Sequence, residues 1–432
     1  MKKINKIILY GQGNGRDHAN HIALMKSENV EFCSLIKNEN ALMNQYDNVY
    51  YIKSIDEAIE FAKSFNPDLI IISNRKDLNE GATEKFRQCG FEVFGITKEV
   101  AKLETVKEYA KKFMIRNNIN TPKYFVADNK DDAIEFVKSN WNKTNHGYVL
   151  KVDQFSKNSF ERTAVPESLE NAIEEIYRLY SSTSNARLII EEKIKGYELS
   201  LHILINKGKY TILPLVQDYK KKYPNNEGPM TAGTASVASS IKYPVHLLEK
   251  LKKYIIEPTI TGLKNESIEY NYVLYIGVMI TEEGKPYVLE YNTRTGNPEW
   301  IALLGLLNKS FVDLIEAFYN NIEDISNFWK KDSYSIAIYG FSAGYPEVER
   351  KEFNEKIMNL KDINSDTDII GEHIIKRENN LVPSGGRVFA LRRVGKNFND
   401  IKSKLIEEFY KIKMNGLYFR DDIQPVIINE SK

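Results

Sequence analysis

Glu290, Asn292 and Arg294 alternate along the run Val288-Leu289-Glu290-Tyr291-Asn292-Thr293-Arg294. On a strand, alternate residues share a face, so a carboxylate, an amide oxygen and a guanidinium point the same way. The two oxygens suit hard Mg²⁺, which keeps waters and takes its other ligands from phosphates. Arg294 can neutralise a transferring phosphoryl group or an acyl phosphate. An exposed hairpin strand with ordinary polar residues has the same spelling, and both readings stand at this point. A second segment, Ile189-Ile190-Glu191-Glu192-Lys193-Ile194-Lys195-Gly196-Tyr197-Glu198, takes an apolar strand through a charged hinge into another strand. Such a hinge can offer backbone groups to a purine and a carboxylate to a ribose, or be a plain strand-turn-strand. Lys107 and Lys151 gain meaning only from their place in a larger pattern.

Composition narrows the field. The 432 residues hold 60 Lys plus Arg against 59 Asp plus Glu, a formal net charge of +1. That excludes the basic excess behind nucleic-acid binding and any long acidic tail. Two cysteines, Cys33 and Cys89, give no disulfide framework or zinc knuckle. They sit in apolar strand and turn contexts and are expected to be buried. The six histidines show no metal-ligand spacing. No apolar run approaches membrane-spanning length, and the N-terminus lacks a signal-peptide pattern. A cytoplasmic protein with small-molecule partners, as monomer or homodimer, is expected, without nucleic acid or membrane.

The elements that must position these groups follow from periodicity. In residues 1–105 strands at 6–10, 30–36, 49–52 and 69–72 alternate with helices at 17–27 and 54–64, which predicts a doubly wound, Rossmann-like domain. A helix over 98–117 leads into a mixed α+β block over 106–328, with a small lobe at about 122–193. Strands are predicted at 148–152, 187–190, 199–205, 209–215, 272–280 and 287–291, and helices at 130–141, 168–180, 246–260 and 300–319. A β-rich lobe over 329–432 closes the chain, with strands at 334–339, 368–375 and 386–393 and a helix at 398–412. The fold class is therefore α/β.

The order of motifs resembles the ATP-grasp ligases, specifically the glycinamide ribonucleotide synthetases. Gly11-Gln12-Gly13-Asn14-Gly15-Arg16-Asp17-His18-Ala19 is similar to the family's GxGGREHA loop. Leu103-Glu104-Thr105-Val106-Lys107 resembles LEGSK, and Glu191-Glu192 with Gly196 to Ser200 resembles the EEFxxGxExS hinge. Gln217 to Lys221 followed by Gly228 to Gly233 looks like QDHKR…GPNTGG. Val288 to Glu299 is similar to VLEFNxRFGDPE, and Ser384 to Val388 and Gly416 to Ile423 match the C-terminal lobe. The resemblance implies ATP and Mg²⁺ (or Mn²⁺) as cofactors, and amide formation between a carboxylate and an amine through an acyl phosphate. It implies that Lys107 and Lys151 contact phosphates, that Glu191, Glu192, Ile194 and Glu198 contact adenine and ribose, and that Glu290 and Asn292 hold the metal. Arg294 and Lys157 take catalytic roles by the same carry-over. The substrate pocket falls to Gly13, Asn14, Gly15, Arg75, Asp218, Lys220, Thr231, Gly233, Asn297 and Pro298, with the loop amides of residues 11–15 meeting a phosphate on the amine.

Departures cluster on the substrate side. The ATP-covering loop after Lys151 has no glycine, Lys157 being a cation left within it. Arg75 stands where the family has the carboxylate of GPE, and Asn297 where it has the aspartate of DPE. These changes predict a paralogue: a carboxylate–amine ligase with altered substrates, in a specialised pathway. The alternatives are a genuine phosphoribosylamine–glycine ligase and a catalytically inactive ATP-binding regulator.

Overall fold

The computed structural model describes residues 3–153, 163–181, 187–241, 243–346, 348 and 353–425. Five short strands, β1 (Lys6–Gly11), β2 (Glu31–Ile36), β3 (Val49–Tyr51), β4 (Leu69–Ile72) and β5 (Val93–Phe94), form an all-parallel sheet in the order β3-β2-β1-β4-β5. Helices α1 (Gly15–Met25), α2 (Ile55–Phe65), α3 (Arg75–Asn79) and α4 (Ala82–Gln88) connect them. The apolar runs of β1 and β4 are buried nearly throughout, as parallel strands covered on both faces must be. The strand order reverses direction between β1 and β4, so the crevice at their carboxyl ends, holding the 11–17 loop and Arg75, is where such a sheet accepts ligands. Cys33 lies inside the sheet, but Cys89 is exposed, contrary to expectation, because it ends α4 on its solvent side.

The helix expected over 98–117 is two helices, α5 (Lys102–Thr105) and α6 (Lys107–Arg116). Val106 adopts extended backbone (φ −122°, ψ 96°) between them. The break frees the first-turn amides of α6, and Lys107 N donates to Asp153 O at 3.3 Å.

A small antiparallel sheet follows. It holds β6 (Tyr124–Ala127), β7 (Tyr148–Val152), β8 (Thr163–Ala164) and β9 (Leu188–Glu192) in the order β6-β9-β7-β8, backed by α7 (Lys130–Asn140) and α8 (Leu169–Ser181). Its apolar core is separate from the others.

The remaining strands build one nine-stranded sheet. They are β10 (Tyr197–Asn206), β11 (Lys209–Ile212), β12 (Val216–Tyr223), β13 (Glu227–Ser239), β14 (Tyr272–Ile280), β15 (Pro286–Asn292), β16 (Tyr334–Phe341), β17 (Asp368–Gly371) and, after the separate hairpin β18 (Ile374–Arg377) and β19 (Asn380–Pro383), β20 (Arg387–Gly395). The order is β15-β14-β10-β12-β13-β16-β20-β17, with β11 on β10. The β-rich C-terminal strands thus continue the sheet of the central block. The sequence pattern does not announce β12 and β13. Their lysines, glycines and small residues are weak strand formers, held in place by the ladders that β13 makes with β12 and β16.

Between β13 and β14 lie α9 (Val245–Leu251), a π-helical turn at Lys252–Ile256 and α10 (Glu257–Asn265). Pro258 cannot donate to Tyr254 O, and that carbonyl instead accepts Asn120 N at 3.4 Å. The helix expected over 300–319 is also two: α11 (Glu299–Gly305) and α12 (Phe311–Tyr319). The last helix, α13 (Phe398–Lys411), packs on β20 and β16. Among the described residues no helix is long and apolar enough to cross a membrane.

Candidate active site

The candidate residues lie where the small sheet meets the nine-stranded sheet, which Lys151 joins by bonding both Glu191 and Leu289 O. Glu290 and Asn292 do share a face, with Asn292 Nδ2 donating to Glu290 Oε1 at 3.2 Å. Arg294 Nη2 donates to Asn292 Oδ1 at 2.8 Å. Glu198 on β10 and Glu290 on β15 reach toward each other across β14, at Gly277. A Cβ there would lie 3.3 Å from Glu290 Cγ and 3.8 Å from Glu198 Oε1, so both side chains pass over this glycine. Lys220 on β12 pairs with Glu198, and its ammonium lies 3.9 Å from Asp218 Oδ2. From the other side Lys107 approaches Glu290 Oε2 at 4.0 Å.

These charges set one another. Burial alone would push the Glu290 carboxyl up, yet Lys220, Lys107 and Lys151 hold it at about 2. Burial pulls Lys107 down. Desolvation would lower half-buried Lys220 as well, but Glu198 and the other acids around it keep it well above the ordinary lysine range. Glu290, held ionised, and the Asn292 side chain supply the oxygen types that suit Mg²⁺ or Mn²⁺, with Asn292 here turning Nδ2 to Glu290 and Oδ1 to Arg294. Among the described residues no group of three or more His, Cys, Asp or Glu side chains gathers to hold a metal unaided.

Lys151 on β7 donates to Glu191 Oε2 and to Leu289 O, both at 3.0 Å, which joins the small sheet to β15. Glu192 ends β9, its N–H donating to Lys123 O at 2.9 Å. Ile194 is half-buried in the hinge between β9 and β10. Lys157 lies outside the described residues.

Two neighbours are given no role by the sequence. Glu104 on α5 accepts from Thr293 N at 3.0 Å, Thr293 Oγ1 at 3.3 Å and Arg294 Nε at 3.1 Å. It thereby holds the Arg294 guanidinium beside Asn292. Lys111, one turn past Lys107, lies 3.1 Å from Glu191 Oε2. Only the motif LEGSK hinted at Glu104, and nothing singled out Lys111.

The glycine-rich loop is organised from within. Gln12 N, Gly13 N and Asn14 N all donate to Asp17 Oδ2, at 2.9, 2.9 and 3.1 Å. Asn14 Oδ1 caps α1 by accepting from Arg16 N and Asp17 N. Gly15 N donates to Glu372 Oε2 at 2.6 Å. Two buried carboxylates, Asp17 and Glu372, thus accept the loop's amides in this structure. Arg16 and Arg75 both lie in the electrostatic field of Arg294 and Glu104.

Glu372, in the link after β17, ties three regions. Besides Gly15 N it accepts from Tyr339 OH at 2.8 Å, Asn297 Nδ2 at 3.1 Å and Arg387 Nη2 at 3.0 Å. Arg387 also donates to Ala232 O at 2.6 Å and Asn297 O at 2.9 Å. Pro298 packs on Gly233, whose φ is +103°; a Cβ there would lie 2.6 Å from Pro298 Cδ. Thr231 Oγ1 donates to Lys220 O at 2.7 Å and accepts Gly233 N at 3.1 Å. Asp218 keeps one buried oxygen without a partner; burial and the nearby Glu299 charge push its carboxyl well up. Hydrogen bonds and close contacts thus link Gly15, Asn297, Pro298, Gly233, Thr231, Lys220 and Asp218 with Tyr339, Glu372 and Arg387 from the C-terminal region.

Similarity to known proteins spans nearly the whole chain. Residues 5–104 match the phosphoribosylglycinamide synthetase N domain, and residues 105–300 match its ATP-grasp (A) domain. The phosphoribosylamine–glycine ligase of Caldanaerobacter subterraneus subsp. tengcongensis is 30% identical over 423 residues, covering 97% of this chain and 99% of that protein. That of Clostridium acetobutylicum is 30% identical over 428 residues, covering 97% and 99%. The crystal structure of the phosphoribosylamine–glycine ligase from Thermotoga maritima superposes with a TM-score of 0.78 at 26% identity, covering 97% of this chain and all of that one. The biotin carboxylase domain of Hydrogenobacter thermophilus 2-oxoglutarate carboxylase, solved as a dimer with MgADP, shares the fold alone, at TM-score 0.69 and 12% identity over 98% of this chain and 93% of that one.

Proposed function

Since the chain belongs to the phosphoribosylglycinamide synthetase family and is an ATP-grasp carboxylate–amine ligase, we propose that it joins the carboxyl group of glycine to the amine of phosphoribosylamine, releasing ADP and phosphate. The observation that carries this reading is the convergence of Glu290, Asn292 and Arg294 on one face, opposite Lys107 and Lys151. Full-length relatives bearing that enzyme name support these substrates over the altered pair expected from the departures.

The chain's own residues divide the work. Lys107, Lys151 and Lys220 gather positive charge where phosphates would lie. Glu290 and Asn292 would hold Mg²⁺ or Mn²⁺, which supplies charge neutralisation between phosphate oxygens when bound. Arg294, fixed by Glu104, faces the carboxylate that attacks the γ-phosphate. An acyl phosphate forms as ADP leaves, and the amine then displaces phosphate to leave the amide. Positioning and charge neutralisation provide most of the acceleration in phosphoryl transfer. Glu191, Glu192, Ile194 and Glu198 are proposed for the nucleoside part. Gly13 to Gly15, Arg75, Asp218, Lys220, Thr231, Gly233, Asn297 and Pro298 are proposed for the substrates.

One observation favours a second reading, in which the amine substrate differs: Arg75 brings a cation into the crevice where a carboxylate is the family's pattern. A single experiment separates the two. ADP release is followed with glycine and phosphoribosylamine, then with other amino acids and amines. Release that requires both named substrates, with a product mass equal to their sum less water, supports the first reading. Release only with another pair supports the second. Nucleotide binding without turnover on any pair supports an inactive regulator.

A further inference from the structure

Helix α6 carries two lysines one turn apart, and they reach opposite halves of the cleft. Lys107 faces Glu290 on the nine-stranded sheet, whereas Lys111 faces Glu191 on the small sheet. Lys111 is only 2% exposed. It donates to Thr121 Oγ1 at 2.6 Å, and Thr121 Oγ1 donates to Val288 O at 2.9 Å. A buried ammonium on a helix face is unfavourable for packing alone, since a methionine would fill the same space without desolvation.

What the lysine achieves is visible at Glu191. One oxygen, Oε2, receives both Lys111 and Lys151, at 3.1 and 3.0 Å. The other, Oε1, is buried with no hydrogen-bond partner. Two cations on one oxygen fix the carboxylate's rotation and leave the second oxygen as an unused acceptor. A cavity of about 20 Å³ is lined by Lys107, Lys111, Glu191 and Glu290 among others, room for about one water.

We propose that Lys111 is a positioning residue for nucleotide binding: it orients the Glu191 carboxylate so that Oε1 accepts a hydrogen bond from the nucleoside part of the nucleotide. Charge agrees with geometry. Burial would raise the Glu191 carboxyl, but Lys111 and Lys151 bring it below its ordinary range. Burial first, then repulsion from Lys151 and Lys107, lowers Lys111 to about 8 despite the attraction of Glu191. The inference rests on the nucleotide reading of the cleft.

The test measures dissociation constants of AMP and of a non-hydrolysable ATP analogue by calorimetry on the full chain. Lys111→Met is expected to weaken both ligands by the same factor, ~10-fold or more. KM for ATP should rise while kcat changes little, and Lys111→Arg should recover most of the affinity. Glu191→Gln should give a similar loss, and the double variant little more. Wild-type affinity in Lys111→Met, a loss confined to the triphosphate, or additive losses in the double variant would overturn the proposal. Should Lys111→Met not fold, Lys111→Gln, which can still reach Thr121, is held to the same criteria. A wild-type protein without ATP affinity overturns both this inference and the nucleotide reading. ATP binding that none of the variants disturbs overturns the inference alone.

Discussion

At Glu290 the carboxylate balances lysines on three sides of it, Lys107, Lys151 and Lys220. Glu290→Gln keeps the shape and removes the charge, so turnover measured as ADP release should fall at least ~10²-fold, as when one preorganised charge-stabilising group is lost, with circular dichroism unchanged. Glu104 acts one step further out. Glu104→Gln leaves Arg294 and the Thr293 amide poorly paired in a buried setting, which is expected to lower stability by about 1–3 kcal/mol and to lower kcat more than it changes KM for ATP. A kcat equal to that of wild type would show that Arg294 does not depend on Glu104. The difference in legibility between these two acids is physical. Glu290, Asn292 and Arg294 form a local pattern of period two, readable on a strand. Glu104 meets Thr293 across 189 residues, and Glu372 meets Gly15 across 357; nothing local marks a side chain whose partners are brought by the fold.

Helices and strands were legible where periodicity and propensity agree, as in β1, β4 and α2. They were not legible where tertiary contacts override propensity. Val106 splits a helix that its neighbours would continue, and β13 forms from glycines and small residues because strands flank it on both sides. Gly233, within β13, shows what that element is for. Its positive φ and its approach to Pro298 leave no place for a side chain. Gly233→Ala is expected to destabilise by about 1–3 kcal/mol. It should also raise KM for the carboxylate or amine substrate while leaving KM for ATP near wild type, since Asn297 and Asp218 adjoin the displaced atoms. Equal increases in all three KM values would argue that β13 serves the whole cleft rather than its substrate end.

Across the whole molecule, Glu372 joins the first loop, the Asn297 turn and the C-terminal strands, and is 4% exposed. Burial alone would raise its carboxyl; Arg387 and His373, with hydrogen bonds from Asn297 and Tyr339, hold it at about 2, below the ordinary 4.5. A depressed folded-state value stabilises fully above the unfolded value and is lost as pH falls through the folded one. The contribution, of order 3 kcal/mol, should therefore disappear between pH ~4.5 and ~2. Urea unfolding across that window should show a steeper loss in wild type than in Glu372→Gln; parallel curves would remove Glu372 from the acid sensitivity.

The ladder that runs unbroken from β15 through β13 and β16 to β17 has a consequence for how the chain comes apart. A sequence boundary near residue 329 is not a seam, because the β13–β16 hydrogen bonds cross it. A fragment ending there would expose β13 as a long raw edge, a template for association with other copies, and heating the intact chain should melt the central and C-terminal regions in one calorimetric peak rather than two.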